Sequence, residues 1–167
     1  MYRFLFKALG IYILWYFIYE LWLHPMGRLD IWIIKSTLNA ALIVLKALGF
    51  QTFSGGDRLI GIDGASGLWM GDSCDCVELC ALFTGFILIF PGNWIKKLWF
   101  IPMGIVAIFL LNVLRVILLA VIQKNFSPKW LEFNHTYTFT IVVYLFIFSL
   151  WFYWVKRFSH SPKKTGE

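Results

Sequence analysis

The stretch LWFIPMGIVAIFLLNVLRVILLAVI, residues 98–122, decides the fold class, because its apolar residues are interrupted by a single charge, Arg115. A run of that length is what a helix needs to cross a hydrocarbon core of about 30 Å. Four more apolar stretches flank it: Phe4 to Leu23, Ile31 to Leu48, Cys74 to the residue before Pro91-Gly92, and His135 to Val155. Pro91-Gly92 is a natural helix terminator. The expectation is an all-α protein, a polytopic transmembrane helical bundle of about five spans.

Composition agrees. Of 167 residues, 60% are hydrophobic and 14% charged, whereas soluble domains carry roughly 25% charged residues. The length leaves room for one integral membrane domain, residues 1–167, and no separate soluble domain. The formal charge of +6 does not point to nucleic acid. Its basic residues, such as Lys96-Lys97 and Lys156-Arg157 to Lys163-Lys164, sit beside apolar segments, where they act as topology signals and contacts to anionic lipid. The first apolar segment lacks a small-residue cleavage site and is expected to stay as a helix.

Residues 51–73 differ in kind. Gly55-Gly56, Asp57, Asp63-Gly64, Gly67 and Gly71 bracket Leu59, Ile60 and Ile62, a pattern of turns around a small extramembrane hairpin or loop. A second loop, Gln123 to Asn134, carries Pro128, Trp130 and Phe133 as interfacial rings. The long loop is acidic through Asp57, Asp63, Asp72 and Asp75, with Arg58 opposing. The Pro91 to Lys97 turn and the tail, residues 156–167, are basic. Positive-inside logic puts the turn and the tail in the cytoplasm and residues 51–73 outside. The expected location is the cell inner membrane, with residues 74–155 forming the functional helices and the site on the extracytoplasmic side.

On this topology Cys74 opens the third span, His135 opens the fifth, and Arg115 lies about 12 Å below the outer end of the fourth. A helix N-terminus and a neighbouring cation favour the ionised thiolate, the nucleophilic form. Cys76 is expected on another face of the same helix, and Cys80 as a small buried hydrophobe. An intramembrane Arg costs about 2.5–3.5 kcal/mol on insertion scales, so it normally serves a polar cavity or a partner. Glu78, one turn after Cys74, is a candidate partner for it, and Asn112 shares the Arg115 face. His135 stands beside Asn134 and is otherwise an ordinary interfacial or capping residue. Leu68, Trp69 and Met70 are candidates for a substrate groove or an interfacial anchor.

Three features in order, Asp72-Ser73-Cys74, Leu111-Asn112-Val113-Leu114-Arg115 and Asn134-His135, resemble the exosortase and archaeosortase family of membrane proteases and presumed transpeptidases. Glu78-Leu79-Cys80-Ala81-Leu82-Phe83 followed by Phe90-Pro91-Gly92 is similar to its short members. The resemblance implies a catalytic triad of Cys74, Arg115 and His135, supported by Glu78, Asn112, Asp72 and Asn134. It also implies membrane-anchored substrates carrying a C-terminal sorting signal, cleaved through a thioester, with lipid or glycan as a candidate acceptor. One departure stands out: the family commonly has a small residue and then Gly after the nucleophile, whereas this chain has Asp75 and Cys76. No cofactor, metal or nucleic acid is implied. The alternatives are a membrane thiol-disulfide oxidoreductase using Cys74, Cys76 and Cys80, a metal site from Cys74, Cys76 and His135, and a small transporter or assembly protein.

Overall fold

The computed structural model describes residues 2–19, 21, 27–71 and 76–158. Among them are five helices and one small sheet: α1 (Tyr2–Ile18), α2 (Arg28–Ala47), β1 (Thr52–Gly55), β2 (Leu59–Ile62), β3 (Leu68–Trp69), α3 (Val77–Ile89), α4 (Trp94–Asn125) and α5 (Pro128–Phe158). Helices α4 and α5 are each long and apolar enough to cross a membrane by length and composition. The 13 residues of α3 are apolar but rise only about 20 Å.

The helix α4 is the axis of the fold. Asn93 caps it by accepting a hydrogen bond from the Ile95 amide at 2.9 Å, which satisfies one of the donors that a helix start leaves open. One side of α4 offers Val113, Val116, Ile117 and Ala120, which pack with Leu38, Ala41 and Leu45 of α2 beneath Ile60, Ile62 and Met70 of the sheet region. The other offers Phe100 and Ile108, which pack with Phe83 and Ile87 of α3 and with Val143, Ile147 and Trp154 of α5. Gly104 permits the close approach of α3, since a Cβ there would overlap the Phe83 ring.

Large apolar residues also cover the outside: Leu98, Trp99, Leu110, Leu145 and Phe148 are all exposed. A contiguous apolar exterior of this kind suits lipid rather than water.

The expected hairpin is a three-stranded antiparallel sheet in the order β1-β2-β3. Gly56, at φ 60°, makes the turn after β1, where a side chain would be strained. Phe53 lies across from Gly61, and its ring covers the space that a Cβ there would need. Lys35 of α2 pairs with Asp57 of the turn at 3.0 Å.

Two sequence expectations change. Nearly all of the loop placed at Gln123 to Asn134 is helix: α4 runs to Asn125 and α5 begins at Pro128. Proline suits the first helical position, where no amide is needed and φ is already set, so Pro128 starts the helix instead of prolonging the loop. His135 therefore lies inside α5, not at its head. Likewise Cys76 is the residue capping α3, not a member of its first turn.

Candidate functional site

The α4–α5 hairpin sets two polar residues at comparable depth. Only Phe126 and Ser127 separate the helices, so the helices are antiparallel neighbours. Arg115 stands ten positions before Asn125, and His135 seven after Pro128, or about 15 Å and 10 Å from the turn. Both are half-buried, and the guanidinium is close enough for its charge to act on the imidazole. Asn112, one turn before Arg115 on the same helix, is buried.

His135 lies within a π-helical turn, Asn134–Thr138, whose register shows in the Phe139 amide donating to the Asn134 carbonyl. A π turn inserts an extra residue, re-aiming the side chains after it, and such turns recur at functional sites. The Asn134 side chain donates to the Trp130 carbonyl at 2.8 Å, anchoring the start of the wide turn.

Cys74 and Asp72 lie outside the described residues. Immediately after them, Cys76 is buried at 7% exposure and has φ 66°, the left-handed conformation. This is the conformation glycine adopts without penalty, so the chain keeps the backbone of a glycine where its sequence has cysteine. The Cys80 amide bonds the Cys76 carbonyl at 2.9 Å, starting the helix directly behind it.

Two cavities flank α3. One, of about 430 Å3, lies among α1, α3 and α5 and is lined by Tyr12, Tyr16, Tyr19, Glu78, Tyr144 and Trp151, among others. Glu78 is exposed in it, on the side of α3 that meets α1. The second, of about 560 Å3, is almost wholly apolar and follows α3 from Cys76 past Cys80 and Thr84 to Leu88, facing Trp32 of α2 and Ile105 and Phe109 of α4. Sequence reasoning missed the aromatic wall of the first cavity. Its signal was present: Tyr12, Trp15, Tyr16 and Tyr19 recur at the i, i+3, i+4, i+7 spacing of one helix face.

Arg115 and His135 are thus brought together by a helical hairpin, with Asn112 a turn away, while Glu78 belongs to a separate cavity wall. Comparison with curated proteins and with solved structures finds no match. The model of the family described as transmembrane exosortase matches residues 1–154, a span that takes in α1 to α4, most of α5, and both Arg115 and His135. An apolar helical protein that carries an arginine and a histidine at comparable depth in one helical hairpin, matched over nearly its whole length, is a member of the transmembrane exosortase family.

Proposed function

We propose that this protein is a membrane cysteine peptidase and transpeptidase that cleaves C-terminal sorting signals of membrane-anchored proteins. Cys74 is the nucleophile, His135 the acid and base, and Arg115 the electrostatic stabiliser. The observation that carries this reading is the α4–α5 hairpin, whose two-residue connection sets Arg115 and His135 at comparable depth on neighbouring antiparallel helices. Two polar groups that are costly inside a bilayer occupy one helical hairpin, which supports a shared task. Cys74 stands two residues before Cys76, the N-cap of α3, a sequence position that fits a nucleophile near a helix start.

In the first step the Cys74 thiolate attacks the scissile carbonyl, forming the S–C bond of a tetrahedral intermediate whose oxyanion Arg115 stabilises. The C–N bond then breaks as protonated His135 gives its proton to the leaving amine. In the second step an amine acceptor or water attacks the thioester, His135 takes the acceptor's proton, and the thiolate leaves. The positive-inside argument supports a site near the extracytoplasmic surface of the inner membrane, with Lys96, Lys97 and the basic tail in the cytoplasm. Asn134 holds the turn that carries His135 through its bond to the Trp130 carbonyl, and Asn112 lies buried one turn before Arg115.

The test is substrate maturation in cells and in proteoliposomes after replacing each cysteine in turn. Cys74→Ala is expected to abolish it, while Cys76→Ala and Cys80→Ala retain it. Full maturation with Cys74→Ala rules the assignment out, and loss with Cys76→Ala or Cys80→Ala as well as with Cys74→Ala favours thiol-disulfide exchange.

A further inference from the structure

We infer that the outer edge of β3 is a binding site for an extended peptide, which adds to the sheet as a fourth strand and is thereby led to Cys74. This inference rests on the peptidase reading above and names the element that holds its substrate.

The register fixes which backbone groups are available. The Met70 amide donates to the Arg58 carbonyl at 2.8 Å, and Leu59 stands opposite Trp69, and Ile60 opposite Leu68. In an antiparallel ladder, hydrogen-bonded and non-bonded pairs alternate, so Arg58–Met70 and Ile60–Leu68 are the bonded pairs. The N–H and C=O of Trp69 therefore point away from β2. On the other side of β2 the same count holds: the Asp63 amide donates to the Gln51 carbonyl at 2.8 Å, which makes Phe53–Gly61 and Gly55–Leu59 the bonded pairs with β1. No described strand lies beyond β3.

Three features make this edge a receiving one. Gly67, whose carbonyl shares the outward side, already accepts from the Gln123 side chain of α4 at 2.7 Å, so the entrance to the strand is tied to the helix that bears Arg115 and the outward groups offered to a peptide are those of Trp69. The opposite face of β3 is anchored by Met70, at 3% exposure, while the Trp69 ring is 66% exposed beneath the Arg58 guanidinium at 5.8 Å. An exposed ring on an edge strand offers a cross-strand neighbour to the side chain of an incoming residue. Finally, Trp69 precedes Cys74 by five residues, within about 17 Å of chain. Strand addition takes its affinity from backbone bonds and its specificity from alternate side chains, which suits the extended stretch ahead of a membrane helix.

The experiment uses the full chain in proteoliposomes with a single-pass reporter protein whose C-terminal processing is lost with Cys74→Ala. Trp69→Pro deletes the outward N–H without touching the ladder to β2, because proline is tolerated on an edge strand. It is expected to slow processing about three- to tenfold beyond Trp69→Ala, the worth of one backbone hydrogen bond. Ser54→Pro makes the same change on the outer edge of β1 and is expected to leave processing unchanged. A second measurement holds even where Trp69→Pro misfolds: Trp69→Cys in a chain also carrying Cys74→Ser, Cys76→Ala and Cys80→Ala, cross-linked to single cysteines along the reporter. Cross-links concentrated at one position and its second neighbours, sparing the positions between, support strand pairing. Uniform or absent cross-links, or equal rates for Trp69→Pro and Trp69→Ala with Cys74→Ala still inactive, overturn this inference alone. Processing that survives Cys74→Ala overturns both readings.

Discussion

The Gln123 side-chain amide donates to the Gly67 carbonyl at 2.7 Å, linking α4, about two turns beyond Arg115, to the residue that enters β3. This bond ties the sheet to the helix carrying the guanidinium. The Gln123 Oε1 atom, by contrast, is buried without a partner among the described residues. Gln123→Glu replaces the donor with a carboxylate facing a carbonyl, and is expected to destabilise the sheet by about 1–3 kcal/mol. Thermal unfolding in detergent, with limited proteolysis of the turn between β2 and β3, checks it. Cleavage there is expected to appear before any in α4.

Arg115→Lys keeps the charge but not the planar fork of donors, and the two cations are not interchangeable at such a site. On the peptidase reading, turnover is expected to fall about 10²-fold or more, the cost of one oxyanion donor. His135→Gln is expected to cost about 10²- to 10⁴-fold. Because the two act as a unit, the double variant is expected to be little worse than the poorer single one. Rates of reporter processing in proteoliposomes measure this, and independent, multiplying losses would contradict a shared site.

Cys76 holds a left-handed backbone at φ 66°, which costs an L-residue roughly 1–2 kcal/mol. Cys76→Gly removes that strain and is expected to keep activity and stability, whereas Cys76→Val, branched at Cβ, is expected to lose both. Combining Cys76→Gly with Cys80→Ala leaves Cys74 as the sole thiol. Retained processing in that variant distinguishes a single-thiol transferase from a disulfide exchanger, which needs two.

Gly104 is buried against the Phe83 ring at the α3–α4 contact. Gly104→Ala is expected to destabilise by about 1–3 kcal/mol through overpacking. Adding Phe83→Leu frees the space, so partial recovery of the melting temperature in the double variant is the diagnostic result.

Lys97 is buried at 4% exposure. Its Nζ donates to the Leu88 carbonyl at 2.9 Å, in the last turn of α3, and lies 4.8 Å from the Trp94 ring centre. A cation at a helix C-terminus satisfies a carbonyl that the helix leaves open. Lys97→Met keeps the apolar stem and removes both contacts. A loss of about 1–3 kcal/mol is expected, seen as a lower melting temperature with processing at permissive temperature retained.

The helical class, the apolar exterior and the turn-rich segment before Cys74 were legible from hydropathy and from glycine and aspartate spacing, because those signals act locally along the chain. The Arg115 position also spoke for itself, since a charge inside residues 98–122 demands a partner. The start of α5 was misread because Pro128 and the rings at Trp130 and Phe133 look alike in a loop and in a first helical turn. The role of Cys76 was hidden for a different reason: a left-handed backbone leaves no mark when the residue adopting it is not glycine.

What the sequence determined by itself is the solvent, lipid, and the small set of groups able to do chemistry there, because transfer energies are properties of residues and short runs. What only the tertiary structure decided is which of those groups meet. A two-residue connection turns α4 back against α5, a π turn carries His135 within its helix, and the pairing of β2 with β3 chooses which backbone amides face outward. Each depends on packing between distant segments, and no one segment carries that information alone.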